Sequence, residues 1–92
     1  MSVTVRIPVS LQKLTGDQSR VEVDSASVEA AINALEASYP GIRGSLLDDA
    51  GNLRRFVNVF VNEDDIRSLQ GQQTPLKDGD ELYIVPAIAG GR

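Results

Sequence analysis

The residues of this 92-residue chain whose types and spacing could do chemistry are few, and the most suggestive stand at its end. The chain closes on Ala89-Gly90-Gly91-Arg92. Consecutive glycines lack side chains, so such a segment can enter a narrow channel and adopt backbone conformations closed to other residues. Acidic residues cluster at Asp48-Asp49 and at Glu63-Asp64-Asp65. Calcium wants about six to eight oxygens from a spaced acidic ladder. Neither run supplies one, so both read as solvated loops and no metal site is expected. No paired carboxylates with acid–base spacing emerge either. Arg54-Arg55 is the one adjacent basic pair, and it reads as a solvated strand end rather than a phosphate site. There is no Cys and no His, which excludes a thiolate nucleophile, a disulfide, a Cys-ligated metal and a histidine acid–base. What remains is chemistry done to this protein rather than by it, and the tail is where it would happen.

A tail needs a body to present it. Hydrophobic residues make up 41% and charged residues 24% of the chain, the balance of a globular domain. The length allows one small core. A net charge of −4 argues against a nucleic-acid partner. No signal peptide or membrane-length apolar run is visible, so the expectation is a soluble, cytoplasmic protein with no membrane partner.

Val3, Val5 and Ile7 alternate with Thr4 and Arg6, the period of a half-buried strand, and Pro8 ends it. Leu11 and Leu14 tuck under a turn at Gly16-Asp17. Val21 and Val23 continue as a second strand, completing a hairpin. Ser27 caps a helix over residues 28–39, whose apolar stripe is Val28, Ala31, Ile32, Leu35 and Tyr39. Pro40-Gly41 stops it. Ile42, Leu46 and Leu47 continue the packing through a short turn. The strongest strand is Phe56-Val57-Asn58-Val59-Phe60-Val61-Asn62. Its two asparagines share a row with the phenylalanines, so the valines should face the core. Residues 71–74 form a loop, Leu76 points inward and Asp78-Gly79-Asp80 makes a turn. Glu81-Leu82-Tyr83-Ile84-Val85 is the last strand, with Leu82 and Ile84 inward.

One amphipathic helix on one face of a mixed sheet gives a two-layer α+β architecture of the β-grasp type. The first and last strands lie side by side at its centre. The domain spans residues 1–86, and residues 87–92 form a flexible tail. Phe56, Phe60, Tyr83 and Val85 would lie on the uncovered sheet face as an apolar patch, a candidate partner surface. A one-residue register slip would exchange the two faces.

With these pieces in order, the sequence resembles the MoaD/ThiS family of ubiquitin-like sulfur-carrier proteins. The likeness runs over nearly the whole chain. It is carried by the opening strand, by Leu35-Glu36-Ala37-Ser38-Tyr39-Pro40-Gly41-Ile42 and by residues 56–62. Leu76-Lys77-Asp78-Gly79-Asp80-Glu81 and Val85-Pro86-Ala87-Ile88-Ala89-Gly90-Gly91 complete it. Within the family it is most similar to the CysO-type carriers that deliver sulfur for cysteine synthesis, through Arg55-Phe56-Val57-Asn58 and the Pro86-to-Gly91 ending.

The resemblance implies that a ubiquitin-activating-type adenylating enzyme uses ATP to join the Gly91 carboxylate to AMP. Sulfide or a persulfide donor then displaces AMP and leaves a C-terminal thiocarboxylate. Ala89, Gly90 and Gly91 would thread into partner active sites, and a sulfur-acceptor enzyme, a cysteine synthase, would receive the cargo. The protein itself would be no enzyme and bind no cofactor. Family members end at the second glycine, whereas this chain ends in Arg92. Removal of Arg92 at the Gly91–Arg92 junction by a JAMM-type metallopeptidase is the expected remedy. A residue left by cloning, or a relative without carrier function, fits the same departure. Two other functions stay open: a protein modifier joined through Gly91 to a target lysine, and a non-covalent β-grasp binding module with an inert tail.

Overall fold

The computed structural model describes residues 2–86. Residues 87–92 lie outside it, and with them the tail, the attachment point at Gly91 and the Gly91–Arg92 junction.

Alternating valines build the first hairpin. Strand β1 (Ser2–Arg6) pairs antiparallel with β2 (Arg20–Asp24), with Val3 opposite Val23 and Val5 opposite Val21. The connection is a 3-10 helix, Val9–Leu14, followed by Gly16 and Asp17, which both have positive φ. Two left-handed residues in succession reverse the chain tightly, which explains glycine at the first of them.

Helix α1 (Val28–Ser38) starts where Ser27 predicts: its side-chain oxygen accepts from the Ala30 amide at 3.1 Å. Val28, Ala31, Ile32 and Leu35 are buried, and Tyr39 packs at the edge of the core. Gly41 takes φ 104°, beyond the reach of most L-residues, and so turns the chain into a short helix, α2 (Ile42–Leu46). The Glu36 carboxylate clamps this junction, accepting from the amides of Gly41 and Arg43. Ile42, Leu46 and Leu47 are buried against α1 and the sheet.

Strand β3 (Val57–Val61) buries its three valines and turns Asn58 and Phe60 to the other face. The sequence reading began this strand at Phe56, but Phe56 belongs to a turn. The Val57 amide bonds the Arg54 carbonyl at 3.0 Å, while Arg54 is tied to α2 through Leu46 and Gly44. Those bonds hold the segment off the ladder. Glu63-Asp64-Asp65 also departs from the expected loop. Asn62 has φ 56°, and the tight reversal pairs β4 (Asp64–Asp65) with Val61 and Phe60. Ile66 then drops into the core at the start of a 3-10 turn, Ile66–Ser68, and a second such turn, Gly71–Gln73, leads to buried Thr74 and Leu76.

Strand β5 (Glu81–Pro86) runs parallel to β1 and antiparallel to β3, giving the sheet order β2-β1-β5-β3-β4. Both helices cover one face, where Val3, Val5, Val57, Val59, Val61, Leu82 and Ile84 are buried. This is the β-grasp arrangement. No helix of the described residues is long and apolar enough to cross a membrane.

Candidate functional site

The site has two parts, the end of β5 and the sheet face beside it. β5 lies third in a five-stranded sheet, held by ladders on both sides. Its last residue, Pro86, is opposite Val57 at the start of β3. Proline lacks an amide proton, so it suits the final position of a paired strand. The segment 89–91, the Gly91 attachment point and the processing junction at Arg92 follow it in sequence, outside the described residues.

The four apolar residues read as a partner surface are not equivalent. Phe60 and Tyr83 are directly opposite each other across β3 and β5, and both are half-buried. Facing aromatic pairs stabilise an antiparallel ladder through side-chain contact. Val85 is opposite Asn58, one step nearer the end of β5, and is 42% exposed. These three share the face away from the helices. Phe56, 47% exposed, is next to them in sequence but sits in the turn before β3.

Polar groups frame the patch, and the sequence reading missed most of them. The Arg6 guanidinium sits 5.6 Å from the Tyr83 ring centroid, a cation–π distance. It also donates to Glu81 Oε1 at 3.1 Å, while the Tyr83 hydroxyl donates to the same oxygen at 2.8 Å. The Tyr83 hydroxyl, with the Arg6 guanidinium adding to it, holds the Glu81 carboxyl below the ordinary glutamate value. The same carboxylate raises the Tyr83 phenol. On the opposite flank Arg67 donates to Asn58 Oδ1 at 2.7 Å and to the Val57 carbonyl at 3.1 Å. It thereby occupies an asparagine and an edge carbonyl that the short β4 leaves uncovered. Arg6 was legible as an outward residue between two inward ones. Arg67 carries no such signal, because its placement depends on the turns after β4.

A groove of about 480 Å³ borders Val61, Asn62, Leu69 and Pro75, at the end of the sheet where β5 begins. It is therefore remote from Pro86. The arrangement that bears on function is the end of the central strand at Pro86, on a sheet whose outer face carries an aromatic pair flanked by guanidinium groups.

Known proteins share the sequence and the fold over the length of the chain. The chain is 45% identical to the sulfur carrier protein CysO of Mycobacterium tuberculosis (strain H37Rv) over 99% of its own length and all of that protein. It is 35% identical to small archaeal modifier protein 3 of Haloferax volcanii, again over 99% of this chain and all of the other. A chain of the Amycolatopsis orientalis BexX/CysO complex superimposes with a TM-score of 0.91 at 43% identity, covering 97% of this chain and 99% of that one. The ThiS family model matches residues 5–91, from β1 through the second glycine, and the chain belongs to the ThiS family.

Proposed function

We propose that this protein is a CysO-type sulfur carrier that works through the carboxylate of Gly91 after loss of Arg92. The observation that carries this reading is the end-to-end likeness to CysO, joined to a Gly-Gly pair that follows the central strand by three residues. The Gly91 carboxylate attacks the α-phosphorus of ATP in a ubiquitin-activating-type adenylating enzyme, and pyrophosphate leaves. Sulfide attacks the acyl carbon of the adenylate. AMP leaves, and the thiocarboxylate holds the sulfur. Ala89, Gly90 and Gly91 enter the partner's channel because they present almost no side-chain bulk. The Phe56, Phe60, Tyr83 and Val85 surface docks the body, and a cysteine synthase accepts the cargo in the cytoplasm.

Arg92 sets an order of events. While it remains, the terminal carboxylate belongs to a long cationic side chain that obstructs the channel. A JAMM-type metallopeptidase cutting Gly91–Arg92 would release the reactive end. The chain carries no cofactor in this scheme, since ATP is consumed by the enzyme.

The test is intact mass spectrometry of the chain ending at Gly91, incubated with ATP, sulfide and the host's adenylating enzyme. A sulfur-for-oxygen mass increase is expected. Absence of both adenylate and thiocarboxylate overturns the reading.

The likeness to small archaeal modifier protein 3 supports a second role, in which a target lysine amine attacks the acyl carbon of the Gly91 adenylate, AMP leaves and an isopeptide forms. Conjugates heavier than the free chain in host extracts, lost when residues 90–92 are deleted, would establish it.

A further inference from the structure

The hydrogen-bond alternation of the first hairpin leaves one edge of the sheet open. β2 is an end strand in the order β2-β1-β5-β3-β4. The Ile7 amide donates to the Ser19 carbonyl at 2.9 Å, so these two residues form a hydrogen-bonded pair of the antiparallel ladder. Alternation then aims the backbone groups of Val21 and Val23 at β1, and those of Arg20, Glu22 and Asp24 away from it. The same alternation appears across β1. Thr4, opposite Glu22, turns its amide the other way and donates to the Asp80 carbonyl at 3.1 Å. Among the described residues, the outward backbone groups of Arg20 and Glu22 have no strand beside them.

Such an edge is a template for another strand, and charged side chains ordinarily discourage it. On β2 the charges differ in sign along the edge. Arg20, Glu22 and Asp24 are exposed, while Val21 and Val23 pack partly against the core. If β2 lies antiparallel against β2 of a second copy about a two-fold axis, the charges select the register. An axis at Val23 sets Glu22 against Asp24, and an axis at Glu22 sets that residue against itself. Both oppose like charges directly. An axis at Val21 sets Arg20 of each copy against Glu22 of the other, and Val21 meets its own equivalent on the helix side. Arg20 gains most from this register. Within one copy it faces Arg6 across the hairpin, an unfavourable pairing of like charges. Its guanidinium makes no hydrogen bond or ion pair among the described residues. The nearby Glu81 carboxylate is already bonded to Arg6 and to the Tyr83 hydroxyl.

We propose that β2 is a self-association edge, through which two copies join into one continuous sheet about a two-fold axis at Val21. Arg20 and Glu22 form two symmetric pairs there, each exchanging both backbone hydrogen bonds and carrying opposite charges. β1 lies between this edge and β5, so the pairing leaves the end of β5 at Pro86 uncovered on both copies. The inference is independent of the carrier reading. A single strand edge is a small contact beside a standard interface of about 1,600 Å², so the dimer is weak and exchanges with monomer.

The experiment is sedimentation equilibrium of the full chain over a range of concentrations at low ionic strength, where exposed charges are least screened. The parent should show a monomer–dimer equilibrium. Arg20→Glu and Glu22→Arg should each weaken it about tenfold, since either one turns both ion pairs into like-charge pairs. An equimolar mixture of the two variants should dimerise about as well as the parent, because opposite charges then meet at both positions. One chain carrying both substitutions should also recover the dimer, which separates a lost contact from a damaged fold. A parent that stays monomeric leaves the edge to a strand of another protein and overturns the proposal. A dimer that either single variant leaves intact belongs to another surface and overturns it as well. So does a loss in the single variants that neither the mixture nor the doubly substituted chain restores.

Discussion

Tyr83 illustrates how one residue on the open face is held by chemistry rather than by burial. It stands opposite Phe60 across the ladder, its ring lies under the Arg6 guanidinium, and its hydroxyl bonds Glu81. The bond favours the ionised form of Glu81, so that carboxyl titrates below the ordinary value of 4.5. A group whose folded value is depressed stabilises the fold above its unfolded value, and this contribution is lost as pH falls through the folded value. Tyr83→Phe removes the largest of the lowering influences while keeping the ring. The Glu81 side-chain carbon, followed by NMR through an acid titration, should then shift its midpoint upward. An unmoved midpoint would mean that the hydroxyl is not the principal cause. Neither partner was legible from sequence. Tyr83 could be assigned to the outer face by alternation, but the identity of its neighbours across β1 depended on a parallel register that no local pattern encodes.

At the scale of elements, the joint between α1 and α2 shows what the chain can and cannot announce. Ser27 and the spacing of Val28, Ala31, Ile32 and Leu35 declare a helix from its beginning, and Pro40-Gly41 declares its end. Removing the cap oxygen with Ser27→Ala should cost about 1 kcal/mol in urea denaturation with an unchanged slope, since one first-turn amide loses its acceptor. A change under about 0.3 kcal/mol would show that solvent replaces the cap without cost. What the spacing did not reveal is the Glu36 clamp. Glu36 was readable only as a solvent-facing residue, yet its carboxylate accepts three backbone hydrogen bonds from the turn that follows. The Arg43 and Gly41 amides hold its pKa below the ordinary glutamate value. Side chains that bond backbone across a turn have no periodic signature. The same holds for β4: Asp64 and Asp65 have low strand propensity, and only the left-handed Asn62 brings them back onto β3. Hydrophobic period therefore located β1, β2, α1, β3 and β5, while the turns that aim Phe56 and Arg67 were set by hydrogen bonds invisible to it.

For the whole molecule, the proposed function turns on the relation between a body that folds and a terminus that would react. Every buried apolar side chain among the described residues lies between Val3 and Ile84. The β5 ladders end at Pro86 with its pairing to Val57, and the Gly-Gly pair comes after them. On the proposed carrier reading, stability and reactivity would fall to different stretches of chain, which would suit a protein that offers its end to more than one enzyme without unfolding. Deleting residues 90–92 should accordingly leave the thermal midpoint within about 4 °C, because surface changes remote from the core fall within about 0.5 kcal/mol. The same deletion should abolish adenylate and thiocarboxylate formation completely, since the carboxylate then belongs to Ala89 and stops short of the nucleotide by two residues. Calorimetry and intact mass on one preparation measure both. A midpoint lowered by about 8 °C or more would show that the tail packs on the body, and loading that survives the deletion would place the reactive carboxylate somewhere other than Gly91.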